Sequence, residues 1–238
     1  IRDRLKADQF AQKLWSSADE VFIQRNGCPI GAIYGYVEDG FYDNLAEVMA
    51  SPSADIRAKG AGMIGEIKYR NFDDNPDITS ADRVIIGDTN PDFVYGLTSN
   101  FEWKGVTLSF FLQGSQGNDI FNGNLMDMKM GNVGNITREA YNTRWTEANA
   151  AQAKWPKAVS GYERNMLISN RYVEDGSYLK LKSLNIGYVW KPNFKGISNV
   201  NVYASATNLF TITGYSWFDP EVNAFGSDAS RRGVDVYS

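Results

Sequence analysis

The side chains of this chain whose types and spacing could do chemistry are carboxylates and aromatic rings. Two pairs of adjacent acids stand out, Asp73-Asp74 and Glu174-Asp175. Acid–base cleavage of a glycosidic bond uses two carboxyl groups on facing walls, roughly 5–10 Å apart. Sequence neighbours instead alternate sides of the chain or share a turn, so both pairs read as acidic turns. The chain contains no His, which removes Ser-His-Asp and Cys-His nucleophiles, His-bearing zinc sites and histidine pH switching. Its single Cys, Cys28, excludes an intrachain disulfide and a Cys-rich metal cluster. The run Gly60-Ala61-Gly62-Met63-Ile64-Gly65 fits G-x-G-x-x-G, but that fingerprint needs a strand before it and a helix after. Here a polar, Ala-rich stretch precedes and Gly65-Glu66-Ile67-Lys68-Tyr69 follows, so no dinucleotide site is expected. Trp145, Trp155, Tyr162, Trp217 and Phe218 lie outside the regular segments. They are the candidates to stack on sugar rings or touch a partner, with packing at the rim of the fold as their competing use. These patterns supply no catalytic residue and no cofactor site, and the chain is not expected to be an enzyme.

The elements that must carry these groups are strands. The chain has 238 residues, of which 13% are aromatic and 22 are Gly. Aromatic segments separated by Gly and Asn turns are an all-β composition. A net charge of −4, from 24 basic and 28 acidic residues, argues against a basic stripe for nucleic acid. No stretch of about 18 apolar residues offers a transmembrane helix. The chain opens on Ile1-Arg2-Asp3 without a signal peptide, and is expected to be a fragment or a processed segment. Residues 29–37, 65–69 and 83–86 read as short strands. Residues 4–15 read as helical, 43–49 as one or two helical turns, and 51–62 as a loop or short helix.

The strongest pattern spans residues 93–115. Phe93, Tyr95, Leu97, Ser99, Phe101 and Trp103 share one face, with Val94, Gly96, Thr98, Asn100 and Glu102 on the other. Lys104-Gly105 forms a tight turn. The return strand puts Val106, Leu108, Phe110 and Leu112 on one face, against Thr107, Ser109, Phe111, Gln113 and Ser115. Period two on both sides of a two-residue turn predicts a hairpin. Residues 178–190 alternate in one phase at Leu179 and Leu181, then in the other from Leu184 to Trp190. One extra residue in a bulge near Ser183 would flip the phase in this way. Residues 200–212 alternate again. Between these strands, residues 116–161 form a long excursion with a helical patch near 137–148, longer than a compact sandwich accommodates.

Strands of about ten residues span a bilayer when tilted, and aromatic rings at their ends match the headgroup layers. A wet lumen tolerates the opposite face of Thr, Asn, Glu, Ser and Gln, which a dry core would not. The sequence thus favours a transmembrane β-barrel, whose average hydropathy looks soluble because its residues alternate. The alternative is a soluble carbohydrate-binding β-sandwich with one wet face.

Four blocks carry a family likeness: residues 29–42 (PIGAIYGYVEDGFY), 86–122 (IGDTNPDFVYGLTSNFEWKGVTLSFFLQGSQGNDIFN), 176–190 (GSYLKLKSLNIGYVW) and 201–222 (NVYASATNLFTITGYSWFDPEV). In this order they resemble the C-terminal third of SusC/RagA-type TonB-dependent outer-membrane transporters. The resemblance implies that residues 1–238 are the last strands of a 22-stranded antiparallel barrel with long extracellular loops. On this resemblance the family's plug domain, TonB box and final strand are expected to lie outside this stretch. It also implies an importer of oligosaccharides or peptides in the outer membrane of a Gram-negative bacterium. Its partners would be a SusD-like surface lipoprotein, TonB through the missing N-terminal part, the rest of the barrel and outer-membrane lipid, with no nucleic acid.

Family members often carry a D-x-N-G-D-G calcium-like loop where residues 71–82 fall. The matching ligand positions are Asn71, Asp73, Asn75, Thr79 and Asp82. Calcium favours several carboxylates and a Gly at the sharp turn. Here Asn71 replaces the first Asp, and Asp74 and Pro76 replace both glycines, so a calcium site is expected to be weak or absent.

Overall fold

A computed structural model of the chain describes residues 10–13, 20–130, 135–159, 163–193, 195–222, 224 and 232–235. Their contacts divide into two units.

The second unit comprises Pro91–Asp119 and Asp175–Glu221. It is one antiparallel sheet of β7 (Phe93–Trp103), β8 (Val106–Gln116), β11 (Tyr178–Trp190), β12 (Val200–Thr207) and the short β13 (Thr211–Thr213). The spatial order is β12-β11-β8-β7, and β13 continues along β11 beyond β12. The hairpin expected from period two is present in full, with Phe93 opposite Gln116 and Trp103 opposite Val106. Its turn residues Lys104 and Gly105 have φ of 49° and 87°. Two positive φ values define the mirror-image turn whose twist matches that of the flanking strands, and Gly adopts its second position without steric cost.

The phase flip in β11 is also present as a bulge. Leu181 pairs with Leu112 and Ser183 with Phe111, which leaves Lys182 without a partner on β8. Before the bulge, Tyr178 and Lys180 share a face with Ser115 and Gln113. Beyond it, Leu184, Ile186 and Tyr188 align with Phe110, Leu108 and Val106. A single extra residue therefore lets Lys180 and Lys182 both serve the polar side and still restores the apolar face beyond the bulge.

The first unit comprises Ile1–Asn90, Ile120–Glu174 and Val222–Ser238. One sheet runs β1 (Phe10–Lys13), β2 (Glu20–Gln24), β3 (Ala32–Gly35) and β6 (Val84–Asp88). A pair, β4 (Glu38–Phe41) and β5 (Ile67–Tyr69), and a three-stranded sheet of β10 (Val173–Asp175), β9 (Asp119–Asn122) and β14 (Val234–Asp235) complete its strands. Four short helices belong to the same unit: α1 (Leu45–Ala50), α2 (Ala54–Lys59), α3 (Gly123–Met130) and α4 (Arg138–Thr143). The expected strands at 29–37, 65–69 and 83–86 are thus found, and the helical patch at 137–148 contracts to α4. Residues 10–13, read as helical, are instead a strand paired with β2. Pairing with a neighbouring strand overrides weak local helix preference in so short a segment. Asn44 and Ser53 cap α1 and α2 by accepting the amide hydrogens of Glu47 and Ile56.

The core of this unit draws on distant parts of the sequence. Phe22, Ile33, Ile67, Phe121, Trp145, Trp155, Ile168, Tyr172 and Val234 pack in one cluster. Tyr42, Val48, Ile56 and Met63 form a smaller one under the helices.

Candidate functional site

The sheet of the second unit has two chemically distinct faces. Across the strands, Trp103, Val106, Tyr188 and Val202 stand in register, as do Phe101, Leu108, Ile186 and Ala204. Leu97 continues the same face with Leu112 and Leu181. This surface is open: Phe93, Leu97, Phe101, Trp103, Ile186, Tyr188, Trp190 and Val202 are all exposed. The opposite face carries the row Asn100, Ser109, Asn185 and Ser205. A contiguous apolar surface of this extent marks contact with lipid or protein. Tyr95 lies across from Gly114 and covers it so closely that a Cβ there would stand 2.2 Å from the ring.

An ionic clasp closes the polar face at the Tyr178 end of β11. Lys180, whose side chain is 2% exposed, donates to both oxygens of Asp219 at 2.8 and 2.7 Å and also to Glu221. Lys182 donates to the same Glu221 oxygen. The Tyr178 hydroxyl donates to the other Glu221 oxygen at 3.0 Å. The turn is closed by the Glu221 amide, which donates to Asp219 at 2.9 Å. Burial alone would raise the Glu221 carboxyl, but hydrogen bonds from Lys180, Lys182 and Tyr178 outweigh it and hold the group below the ordinary carboxylate range. Two cations and two anions leave the cluster neutral. It fixes residues 217 and 218 between buried Tyr215 and buried Pro220. Trp217 packs edge-on against Phe218 with ring centroids 5.2 Å apart, and Phe218 is 79% exposed. Sequence reasoning singled out these two rings and missed the lysines and acids that hold them. Alternating Lys180 and Lys182, together with an Asp-Pro-Glu turn, was the available signal.

Trp145 and Trp155 are not the exposed loop aromatics expected from sequence. Both are buried in the core of the first unit. The Trp145 indole N–H donates to Asp43 at 2.9 Å, and its ring covers Gly65, where a Cβ would come within 2.6 Å of it. Gly65 also has a φ of 83°, so two independent constraints keep this position glycine. Trp155 forms one wall of an aromatic slot for Arg171, whose guanidinium lies 5.2 Å from its ring and 5.4 Å from that of Phe41. Arg171 makes a two-pronged contact with the Glu38 carboxylate, to which Ser169 also donates. These rings are buried because the unit needs large apolar side chains to bridge its small sheets. Tyr162 lies outside the described residues.

In the acidic loop, most candidate ligand oxygens already accept backbone amides. Asn71, Asp73 and Asn75 each bond the amide two residues on, at 3.1, 2.8 and 3.1 Å. Thr79 and Asp82 form a capping box around the turn Ser80–Asp82. Buried Asp82 accepts the amides of Phe72 and Thr79, both at 2.8 Å. Neither acidic pair forms a dyad: Asp73 accepts the amide of Asn75, Glu174 accepts from Asn122, and Asp175 accepts from the amide of Ser177. Among the described residues, no group of three or more His, Cys, Asp or Glu side chains is placed to hold a metal ion.

No family model matches the chain. It is 35% identical over 219 residues to TonB-dependent receptor P3 of Formosa agariphila, covering 90% of this chain and 21% of that protein. TonB-dependent receptor P26 of the same organism is 31% identical over 176 residues, covering 72% of the chain and 17% of the receptor. TonB-dependent receptor SusC of Bacteroides thetaiotaomicron is 30% identical over 162 residues, with 66% and 15% covered. Among solved structures, the RagAB peptide importer matches in its open-open state with a TM-score of 0.64 and 19% identity, over 95% of this chain and 22% of that one. Its closed-closed state gives 0.61 and 21%, over 90% and 22%. The fold is therefore that of a stretch of a barrel-containing transporter, and its relatives are receptors rather than enzymes. The chain belongs to the TonB-dependent receptors of the SusC/RagA type and spans about a fifth of the length of the curated relatives it matches.

Proposed function

We propose that this chain is the C-terminal part of the barrel of an outer-membrane importer that takes up oligosaccharides or peptides. The observation that carries this reading is the mainly apolar face that extends across four long strands, opposite a face that carries the polar row Asn100, Ser109, Asn185 and Ser205. Eleven residues at about 3.3 Å each give about 36 Å, or about 28 Å of height at a tilt of about 40°, which matches a hydrocarbon core. Lipid would take the apolar face, with Trp103, Tyr188 and Trp190 at one interface and Phe93 and Tyr95 at the other. The polar face would line the lumen. The edges left open by β7 and β12 would pair with the remainder of a 22-stranded barrel, because unpaired backbone is not tolerated in lipid.

Short turns lie on the periplasmic side of such barrels, so Lys104-Gly105 and residues 191–199 would face the periplasm. Residues 116–161 would then be an extracellular excursion that contacts the mouth of the pore or a SusD-like lipoprotein. TonB would act on parts of the polypeptide that this chain does not include. Exposed Phe218, with half-buried Trp217 against it, remains the ligand-contact candidate, and the likeness of the chain's fold to the named peptide importer makes a peptide mixture the first solute to try. The test is uptake by intact cells: deleting the gene should abolish uptake of its solute and leave porin-borne solutes unaffected. Purification of the tagged protein in detergent should recover a surface lipoprotein in stoichiometric amount. A tagged protein that fractionates as soluble without detergent would overturn the reading and favour the sandwich.

A further inference from the structure

Glu66 lies in the first unit, between the turn Gly60–Met63 and β5. Its backbone is held from both sides: its amide donates to Met63 and its carbonyl accepts the Tyr42 amide, each at 3.0 Å. Its side chain is 1% exposed, and neither carboxylate oxygen accepts a hydrogen bond. Lys157 Nζ is 3.2 Å from Oε1, at an angle that makes an ion pair without a hydrogen bond. The same ammonium donates to the Gly62 carbonyl. The groups that act on the carboxylate are Lys157, Arg164 and Asn165. Arg164 is turned towards the Ile67 carbonyl and lies 5.3 Å over the Tyr69 ring, and Asn165 accepts the Ile67 amide.

All three groups belong to the stretch that docks on this ridge. The Lys157 amide donates to the Gly65 carbonyl at 2.9 Å, and the Tyr69 hydroxyl donates to the Arg164 carbonyl at 2.8 Å. The Trp145 ring closes over Gly65. The carboxylate thus occupies the middle of a seam between residues 62–69 on one side and residues 143–157 and 163–166 on the other. A buried charge with one shared ammonium and no hydrogen bond opposes closure of such a seam, whereas the neutral acid does not.

We propose that Glu66 is a proton-operated latch, which seats residues 143–157 and 163–166 on the β5 ridge when protonated and loosens that seat when ionised. Burial raises the Glu66 carboxyl above its ordinary value, and the Lys157 ammonium offsets this in part. A raised value means that the seated state holds the proton more tightly than the open one. Seating is therefore strongest below the ordinary carboxylate value, and weakens as pH rises through the raised one.

The experiment is amide hydrogen exchange on the intact protein from about pH 4, below the ordinary carboxylate value, to about pH 8, corrected for the intrinsic rate and read on peptides from residues 143–157. Protection should fall with rising pH by about tenfold for each unit by which the Glu66 value is raised. In Glu66→Gln protection should be high and independent of pH. In Lys157→Met, which removes the offsetting charge, the fall should move to higher pH. Peptides from β7 and β8 serve as the control and should show no such trend. Flat protection in the unaltered protein overturns the latch, as does an unchanged decline in Glu66→Gln. If Glu66→Gln does not fold, Lys157→Met decides alone, and an unmoved or lowered transition overturns it.

Discussion

Replacing Lys180 by Met should free the turn at Asp219-Pro220-Glu221 while leaving the sheet intact. Lys180 uses three hydrogen bonds to join two carboxylates, and its ammonium is buried at the polar face. Met keeps the length and apolar stem of the side chain, so packing against β8 and β13 is retained. Breaking a fully buried ion pair costs about 3–5 kcal/mol. Here the carboxylates are less enclosed, with side-chain exposures of 52% for Asp219 and 26% for Glu221, so both regain some hydration when released. Glu221 also keeps Lys182 and Tyr178. The expected local loss is accordingly about 2 kcal/mol, which corresponds to roughly thirtyfold faster exchange of amides in residues 214–221. Lys182→Met removes a contact between partly exposed groups, worth under about 1 kcal/mol, and should speed the same amides by no more than about fivefold. Trp217 emission should shift to the red in Lys180→Met alone. Equal effects of the two substitutions, or no effect of Lys180→Met, would refute the view that the buried ammonium holds this turn.

Gly114→Val should prevent Tyr95 from covering the adjacent strand, because a Cβ at 114 meets the ring at 2.2 Å. Assembly into the outer membrane should fall severalfold, and Tyr95→Ala in the same protein should restore it. Trp145→Ala should destabilise the first unit by about 3–5 kcal/mol, as large core deletions do, read as a lower melting temperature. Phe218→Ala, at an exposed site, should leave the melting temperature within about 1 °C and reduce uptake of the solute. Asp82→Asn leaves one of two backbone amides facing an NH2 group instead of an acceptor and should cost about 1–2 kcal/mol, whereas exposed Asp73→Asn should cost under about 0.5 kcal/mol. Calcium at about 1 mM should not raise the melting temperature; a rise of several degrees, lost in Asp73→Asn, would reveal a site in this loop.

The readable parts of the fold were those with a short period or a local motif. The β7–β8 hairpin follows from alternation and Lys104-Gly105, and the bulge at Lys182 follows from the break in phase after Leu181. The Ser80–Asp82 turn was legible too, since Thr79 and Asp82 stand at capping-box spacing, although from the sequence these two residues stood out only as positions of a weak or absent calcium site. What was illegible depends on contacts across long stretches of sequence. Glu38 and Arg171 are 133 residues apart, and Trp145 reaches Asp43 across 102. No periodicity distinguishes a loop tryptophan that is buried by such contacts from one presented to a ligand. The clasp was hidden for the same reason, with Lys180 and Glu221 separated by 41 residues and another strand pair.

The central claim is that the two faces of the β7–β8–β11–β12 sheet meet different solvents. Nitroxide labels placed one at a time along residues 97–101 and 184–188 of the intact protein in bilayers test it directly, by collision with oxygen, which partitions into lipid, and with a water-soluble nickel chelate. Labels at Leu97, Phe101, Leu184 and Ile186 should favour oxygen, and those at Thr98, Asn100, Asn185 and Gly187 the chelate, alternating residue by residue. Uniform accessibility to the chelate on both faces, or protection of the apolar face from both reagents, would contradict the barrel and leave the sheet as half of a dry protein core.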